Sequence, residues 1–319
     1  MKKKIFFLLR IIISFLFLFI LLKFVNLSQF IHILKEANRE IILLAILLNL
    51  IIVPIISYRW QIILSSQKFF VRLSELIRLT FIGMFFNNFL PTSAGGDVVK
   101  GYYLIKGNER KIDLGASVLF DRIIGTISVV IMALIATILL YKRLPLQATL
   151  FILLLSTFTL FLVLFLRNRR LAKILSGFFR FHKYKTLDIQ SKRVYERFHR
   201  YIHSQGMLGK SIVISFITQI FSILMNYLII IGLGGRISLF LLFVYIPLIW
   251  VFSLFPSING LGIREGFYVY FFKGIIGKET AFALSILILG LLLLNGIIGG
   301  LLHLTMGGKV KIISEKEIQ

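Results

Sequence analysis

The chain contains no cysteine, so it can carry no disulfide, no thiolate nucleophile and no Cys-ligated metal. Acid is also scarce: 13 Asp and Glu stand against 37 Lys and Arg, a formal net charge of +24. Charged residues of both signs make up 16% of the chain, against about 25% in soluble domains. With 58% apolar residues, 32 Phe and a mean hydropathy of +0.93, the chain cannot cover a surface with water-compatible side chains. A soluble enzyme, a disordered tail and a disulfide scaffold are thereby excluded. There is no P-loop. Gly260-Leu-Gly-Ile-Arg-Glu-Gly266 is one residue too long for a dinucleotide GxGxxG and follows no soluble strand. No nucleotide hydrolysis and no cofactor are expected.

Long apolar runs take the place of these features. A helix needs about 20 mainly apolar residues to cross a bilayer. Six stretches qualify or nearly do: Ile5–Leu27, Ile41–Tyr58, Leu114–Tyr141, Leu146–Leu166, Ser211–Leu233 and Ala281–Met306. The first follows Met1-Lys-Lys-Lys as in a signal peptide. Its apolar run is too long for one and no small-residue cleavage site follows, so a retained span with a cytoplasmic N-terminus is expected. Two further apolar regions, Leu73–Tyr103 and Ser238–Phe272, are broken in the middle by proline and glycine, which disfavour continuous helix. Each is either a hairpin that enters and leaves on one side or a broken span.

Positive charge chooses between these. If the first region opens to the cytoplasm and the second to the outside, 27 basic residues fall inside and nine outside. The inside set includes Arg59 and twelve residues between Arg167 and Lys210. The expected architecture is therefore an all-α polytopic protein of the cell (inner or plasma) membrane, with six full transmembrane helices, two re-entrant hairpins and both termini cytoplasmic. Residues 1–306 form one membrane domain and 307–319 a short cytoplasmic tail.

Laying Pro91 on Pro256 aligns Gly95 with Gly260, Gly101 with Gly266, Tyr103 with Tyr268 and Thr92 with Ser257. Three full spans separate the two breaks, so the copies point in opposite directions. That makes a candidate 3+3 inverted repeat with halves of about 1–141 and 146–306, a plan in which transporters line a substrate site with broken helices. Asp97 and Lys100 follow the first break; Arg264 and Glu265 follow the second. Ionisable groups at membrane depth cost several kcal/mol unless paired or wetted. A cross-hairpin pair, Asp97–Arg264 or Lys100–Glu265, would close a polar cavity, and the amides of Thr92 to Gly96 at a helix start would suit a phosphate. Interfacial loops with solvated charges are the alternative.

Asp121 and Arg122 lie inside the span Leu114–Tyr141. Adjacent helical residues do not face each other, so each is expected to find its own partner across the bundle, lining the cavity or locking the helices together. Gly296 and Gly300 form a GxxxG face expected to serve helix packing rather than dimerisation. The segment Arg167–Lys210 holds twelve basic and two acidic residues with interleaved aromatics. Tethered at both ends by spans, it suits an amphipathic helix on anionic lipid and not nucleic acid. His199 and His203 have helical i,i+4 spacing but no HExxH frame, so no metal is expected there.

The run Asn87-Asn-Phe-Leu-Pro-Thr-Ser-Ala-Gly-Gly-Asp-Val-Val-Lys-Gly-Tyr-Tyr103, with Asp121-Arg122 downstream, is joined by Pro256-Ser-Ile-Asn-Gly-Leu-Gly-Ile-Arg-Glu-Gly266. Together they resemble the lysylphosphatidylglycerol synthase transmembrane-region family, also called flippase-like domain proteins, from about Leu44 to Met306. In members that join this membrane domain to a cytosolic aminoacyl-transferase, the soluble part lysinylates phosphatidylglycerol. The membrane part moves the product between leaflets, giving resistance to cationic antimicrobial peptides. Other members stand alone or accompany glycosyltransferases.

The resemblance implies membrane-domain chemistry at Asn88, Pro91, Gly95, Gly96, Asp97, Lys100, Asp121, Arg122, Pro256, Gly260, Gly262, Arg264 and Glu265. The chain ends at Gln319, soon after Met306, so the transferase domain is expected to be absent. The expected function is translocation of a phospholipid, such as lysylphosphatidylglycerol, or of a lipid-linked sugar headgroup. Membrane lipids are the expected partners, with a separate transferase or glycosyltransferase as a further candidate. Lys100, Arg122 and Arg264 would bind phosphate. Asp97, Asp121 and Glu265 would pair with them or meet a cationic headgroup. Two alternatives stand beside this: a membrane transferase or its subunit with Asp97 or Glu265 as base, and a non-transporting partner of a glycosyltransferase.

Overall fold

The computed structural model describes residues 25–90, 95–140, 144, 146–170, 185–253, 260–305 and 312–313. Among them are eleven α-helices: α1 (Leu27–Glu36), α2 (Arg39–Ser65), α3 (Leu73–Phe89), α4 (Gly95–Ile105), α5 (Lys111–Leu140), α6 (Leu146–Arg167), α7 (Lys185–His203), α8 (Gln205–Gly232), α9 (Leu239–Phe252), α10 (Ile263–Ile276) and α11 (Lys278–Thr305). Among the described residues the one departure from an all-α chain is a pair of two-residue strands, β1 (Phe70–Val71) and β2 (Ile312–Ile313). They run antiparallel with Phe70 opposite Ile313, so residues 312–313 of the expected short tail pair with the segment after α2.

Five helices are long and apolar enough to cross a membrane: α2, α5, α6, α8 and α11. They coincide with five of the six expected spans. The sixth, Ile5–Leu27, falls almost wholly outside the described residues. Helix α2 starts on Asn38, whose Oδ1 accepts the amides of Glu40 and Ile41 at 3.1 Å and so satisfies two donors that the first turn leaves open. It then runs to Ser65, past the expected end at Tyr58, and carries Arg59 and Trp60 within the helix.

Each broken region folds as two helices. In the first, the Asn87 Oδ1 accepts the Gly96 amide at 2.7 Å, and the Lys100 stem lies on Gly83. Contacts that descend α3 from 87 to 83 climb α4 from 96 to 100, so α3 and α4 run antiparallel as a hairpin. Their backbones touch where a Cβ on Gly96 would overlap the Gly83 carbonyl. Helices α9 and α10 do the same through aromatic rings. Phe252 stacks on Phe267 at 4.2 Å, and one to two turns further from the break Tyr245 meets Phe271 at 5.0 Å and Phe272 at 5.7 Å. Helices α9 and α10 have 14 residues each, about 21 Å of helix, which is short of the roughly 30 Å hydrocarbon core.

The chain divides into two compact units. The first comprises Met1–Ile55, Ile77–Lys100 and Ile217–Gly307. In it α10 packs along α11, and α1 packs on α11 through Phe30 and Phe282, whose rings lie 5.3 Å apart beside Val25 and Val269. Gly296, Gly299 and Gly300 of α11 face α3: added methyls would strike Asn88, the Phe81 carbonyl and the Phe85 ring. The GxxxG face thus serves packing inside the unit. A buried reciprocal amide pair, Asn49 with Asn295 at 3.0 and 3.2 Å, adds a polar tie.

The second unit comprises Ile56–Leu76, Gly101–Phe216 and Gly308–Gln319. Its core gathers Ile63, Ala116, Phe120, Ile124, Tyr201 and Met207, with Phe120 stacked on Tyr201 at 4.7 Å. Helix α7 of the basic segment packs on α5 and α6. It is tied there by Asp113, which accepts from Arg110 at 2.9 Å and pairs with Arg197.

Candidate functional site

Residues 77–100 of the first hairpin and the described helices of the second belong to the first unit, and each hairpin places an ion pair in the opening turns of the helix that follows its break. Pro91 lies outside the described residues. Helix α4 begins at Gly95, and Asp97 stands in its first turn, where open amides favour an anion. One turn on, the Lys100 Nζ meets the Asp97 Oδ1 at 2.9 Å, the two side chains only 10% and 13% exposed. Asn88, at the end of α3, reaches the Leu292 carbonyl of α11 at 3.4 Å.

In the second hairpin Pro256 likewise falls outside the described residues. The turn into α10 passes through Gly260 (φ 80°) and Gly262 (φ 82°), left-handed conformations that a residue with a Cβ adopts at a cost. Gly262 caps the helix and donates its amide to the Glu265 Oε2 at 2.6 Å. The Glu265 Oε1 accepts from Arg264 Nε at 3.1 Å and Nη2 at 2.5 Å. Glu265 is fully buried and Arg264 nearly so. A buried carboxylate bonded on both oxygens is stable as an ion pair; taking away one partner leaves an uncompensated charge worth about 3–5 kcal/mol. The overlay put Lys100 opposite Glu265. The structure gives each a partner on its own helix, where a long basic side chain near a helix start reaches a carboxylate one or three residues away.

Asp121 and Arg122 belong to the second unit. Asp121 does find a partner across the bundle, as expected of a charge inside a span: its Oδ1 accepts from Arg59 Nε of α2 at 2.7 Å. The Arg59 Nη1 donates to Ser215 Oγ of α8 at 2.8 Å, and the guanidinium lies against Gly125 of α5, where a side chain would press on it. One buried arginine therefore joins α2, α5 and α8. Counting Arg59 as a cytoplasmic surface charge is corrected by this: Arg59 is 6% exposed. The signal that could have found it is the apolar run resuming after it, Trp60-Gln-Ile-Ile-Leu64, which keeps it inside the helix. Other buried polar ties went unread as well: Asn49 with Asn295, and Tyr268, which donates to Asn226 at 2.8 Å. Each is a single amide or hydroxyl within a largely apolar helix, with nothing in its sequence spacing that names its partner.

Five apolar helices of spanning length, with charged pairs kept in the interior, define an integral membrane protein. Residues 7–300 match the family model described as the lysylphosphatidylglycerol synthase TM region, and the chain belongs to that family. It is 31% identical over 118 residues to a UPF0104 membrane protein of Methanocaldococcus jannaschii, a match covering 36% of this chain and 35% of the relative. It is 27% identical over 263 residues to a UPF0104 membrane protein of Methanothermobacter thermautotrophicus, covering 75% of this chain and 77% of that one. The chain thus aligns with about a third of the first relative and about three quarters of the second. No solved structure matches.

Proposed function

We propose that the protein moves a phosphate-bearing lipid, a phospholipid or a lipid-linked sugar, between the leaflets of the cell membrane. The observation that carries this is the buried ion pair that follows each of two helix breaks within one unit, Asp97–Lys100 and Arg264–Glu265. Charges kept in the interior of a membrane protein mark substrate paths more often than structure alone. Lys100 and Arg264 can exchange their carboxylates for a lipid phosphate. Asp97 and Glu265 hold them in the empty protein and can meet a cationic headgroup.

The β1–β2 pairing is compatible with the hairpin layout. It puts residues 70–71 and 312–313 on one face, so an even number of crossings lies between them. Helices α5, α6, α8 and α11 supply four, and two re-entrant hairpins add none. With Lys68 and Arg72 flanking β1 on that face, the positive-inside rule favours a cytoplasmic assignment for it. Without a nucleotide site, movement is downhill or ion-coupled.

The test is reconstitution of the full chain in liposomes carrying a phosphatidylglycerol with a labelled acyl chain. Wild type should move the label between leaflets with the lipid mass unchanged. Glu265→Gln and Asp97→Asn should slow it by about tenfold, as loss of roughly 1.4 kcal/mol does to any rate. Label that stays in its leaflet would overturn the proposal. A new lipid product in the mass spectrum would favour a transferase instead.

A further inference from the structure

A cavity of about 530 Å³ in the second unit is lined by Leu164, Arg167, Asn168, Arg169, His199 and His203. None of these belongs to the hairpin pairs. Helix α6 supplies Leu164 and Arg167 from its last turn; α7 supplies the two histidines one turn apart. The His199 Nδ1 lies 2.9 Å from the Leu166 carbonyl, and the His203 Nδ1 lies 2.7 Å from the His199 carbonyl. A carbonyl only accepts, so each Nδ1 carries the proton and each Nε2 is left for an outside ligand. The rings sit 4.1 Å apart between centroids.

The chemistry of this set selects an anion. No carboxylate lines the cavity, and two guanidiniums beside two imidazoles repel a metal ion. No cluster of three His, Asp or Glu suited to a metal occurs among the described residues. Guanidinium forks match the tetrahedral oxygens of phosphate in bidentate fashion. An imidazole Nε2 can accept from a phosphate hydroxyl or, when protonated, donate to its oxygen. The position adds the source. Arg167 ends a candidate span, at the level of lipid headgroups, and above it Leu164, Phe161 and Leu160 leave an exposed apolar stripe along α6 on which acyl chains can lie.

We propose that Arg167, Arg169, His199 and His203 form a phosphate-binding site, filled in the bilayer by the headgroup of an anionic phospholipid. It is separate from the transport reading and stands without it. The test is carbethoxylation of histidine in the purified full chain, read by peptide mass spectrometry, with the exposed His32 as internal standard. The conditions are detergent with and without inorganic phosphate, and nanodiscs of phosphatidylcholine with and without phosphatidylglycerol. Modification of His199 and His203 should fall about tenfold when ligand exceeds its Kd about tenfold, with His32 unchanged. Protection by phosphatidylglycerol identifies a lipid site; protection by inorganic phosphate alone keeps the phosphate site but replaces the lipid with a free ligand. Absence of protection in both would overturn the proposal. So would equal protection in Arg167→Gln/Arg169→Gln, or in Arg169→Gln alone should the double variant not fold.

Discussion

Removing either end of the Arg59–Asp121 pair leaves a charge in a nearly dry site, since both side chains are under a tenth exposed. Arg59→Met or Asp121→Leu alone should each cost about 3–5 kcal/mol. Made together they should cost less than either single change, because the double variant buries no charge. Thermal unfolding of the four proteins in detergent closes the cycle, and additive losses would show that the pair is not coupled. Tyr201 makes the opposite kind of prediction. Its hydroxyl is buried with no hydrogen-bond partner among the described residues, and burial, reinforced by the Asp113 carboxylate, pushes its pKa above the usual tyrosine range. A raised pKa favours folding below the unfolded value of about 10, and that stability is lost as pH climbs from there toward the folded value. Tyr201→Phe should therefore match or exceed wild type at neutral pH and lose less of its melting temperature between about pH 9 and 11. A steeper alkaline loss in the variant would contradict this.

At the scale of elements, the hairpins depend on backbone contact. Gly96→Ala would push a methyl into the Gly83 carbonyl, and overpacking of this kind costs about 1–3 kcal/mol. Gly115→Ala in α5 meets nothing within 4 Å, and should be neutral or stabilising by about 1 kcal/mol through helix propensity. Melting temperatures of the two variants should fall on opposite sides of wild type, or Gly115→Ala at it; equal losses would mean that the close approach does not matter. The helices themselves were legible in the apolar runs of α5, α6, α8 and α11, and the breaks in their Pro-Gly composition. The extent of α2 was not, because an arginine in an apolar run reads as an end until its carboxylate partner, 62 positions away, is known. The site residues at the breaks were legible as residue types. Their pairing was not, since a choice between a partner on the same helix and one across the hairpins rests on side-chain reach. The histidine–arginine cavity was equally hidden: one half lies at the end of α6 and just after it, the other on α7, and only the packing of those helices brings them together.

For the whole molecule, the proposed transport rests on two hairpins that open to opposite faces. Strand pairing requires an even number of crossings between residues 71 and 312, and re-entrant hairpins meet that condition, but so would two broken spans that each cross. Because the chain has no cysteine, single cysteines can separate these directly. Arg72→Cys and Glu109→Cys flank the first hairpin; Arg236→Cys and Lys273→Cys flank the second, and all four positions are exposed. A membrane-impermeant maleimide applied to intact and then permeabilised cells should label Arg236→Cys and Lys273→Cys from outside, and Arg72→Cys and Glu109→Cys only after permeabilisation. Labelling of the two flanks of either hairpin from opposite faces, or of all four from one face, would contradict the inverted arrangement and the transport path built on it.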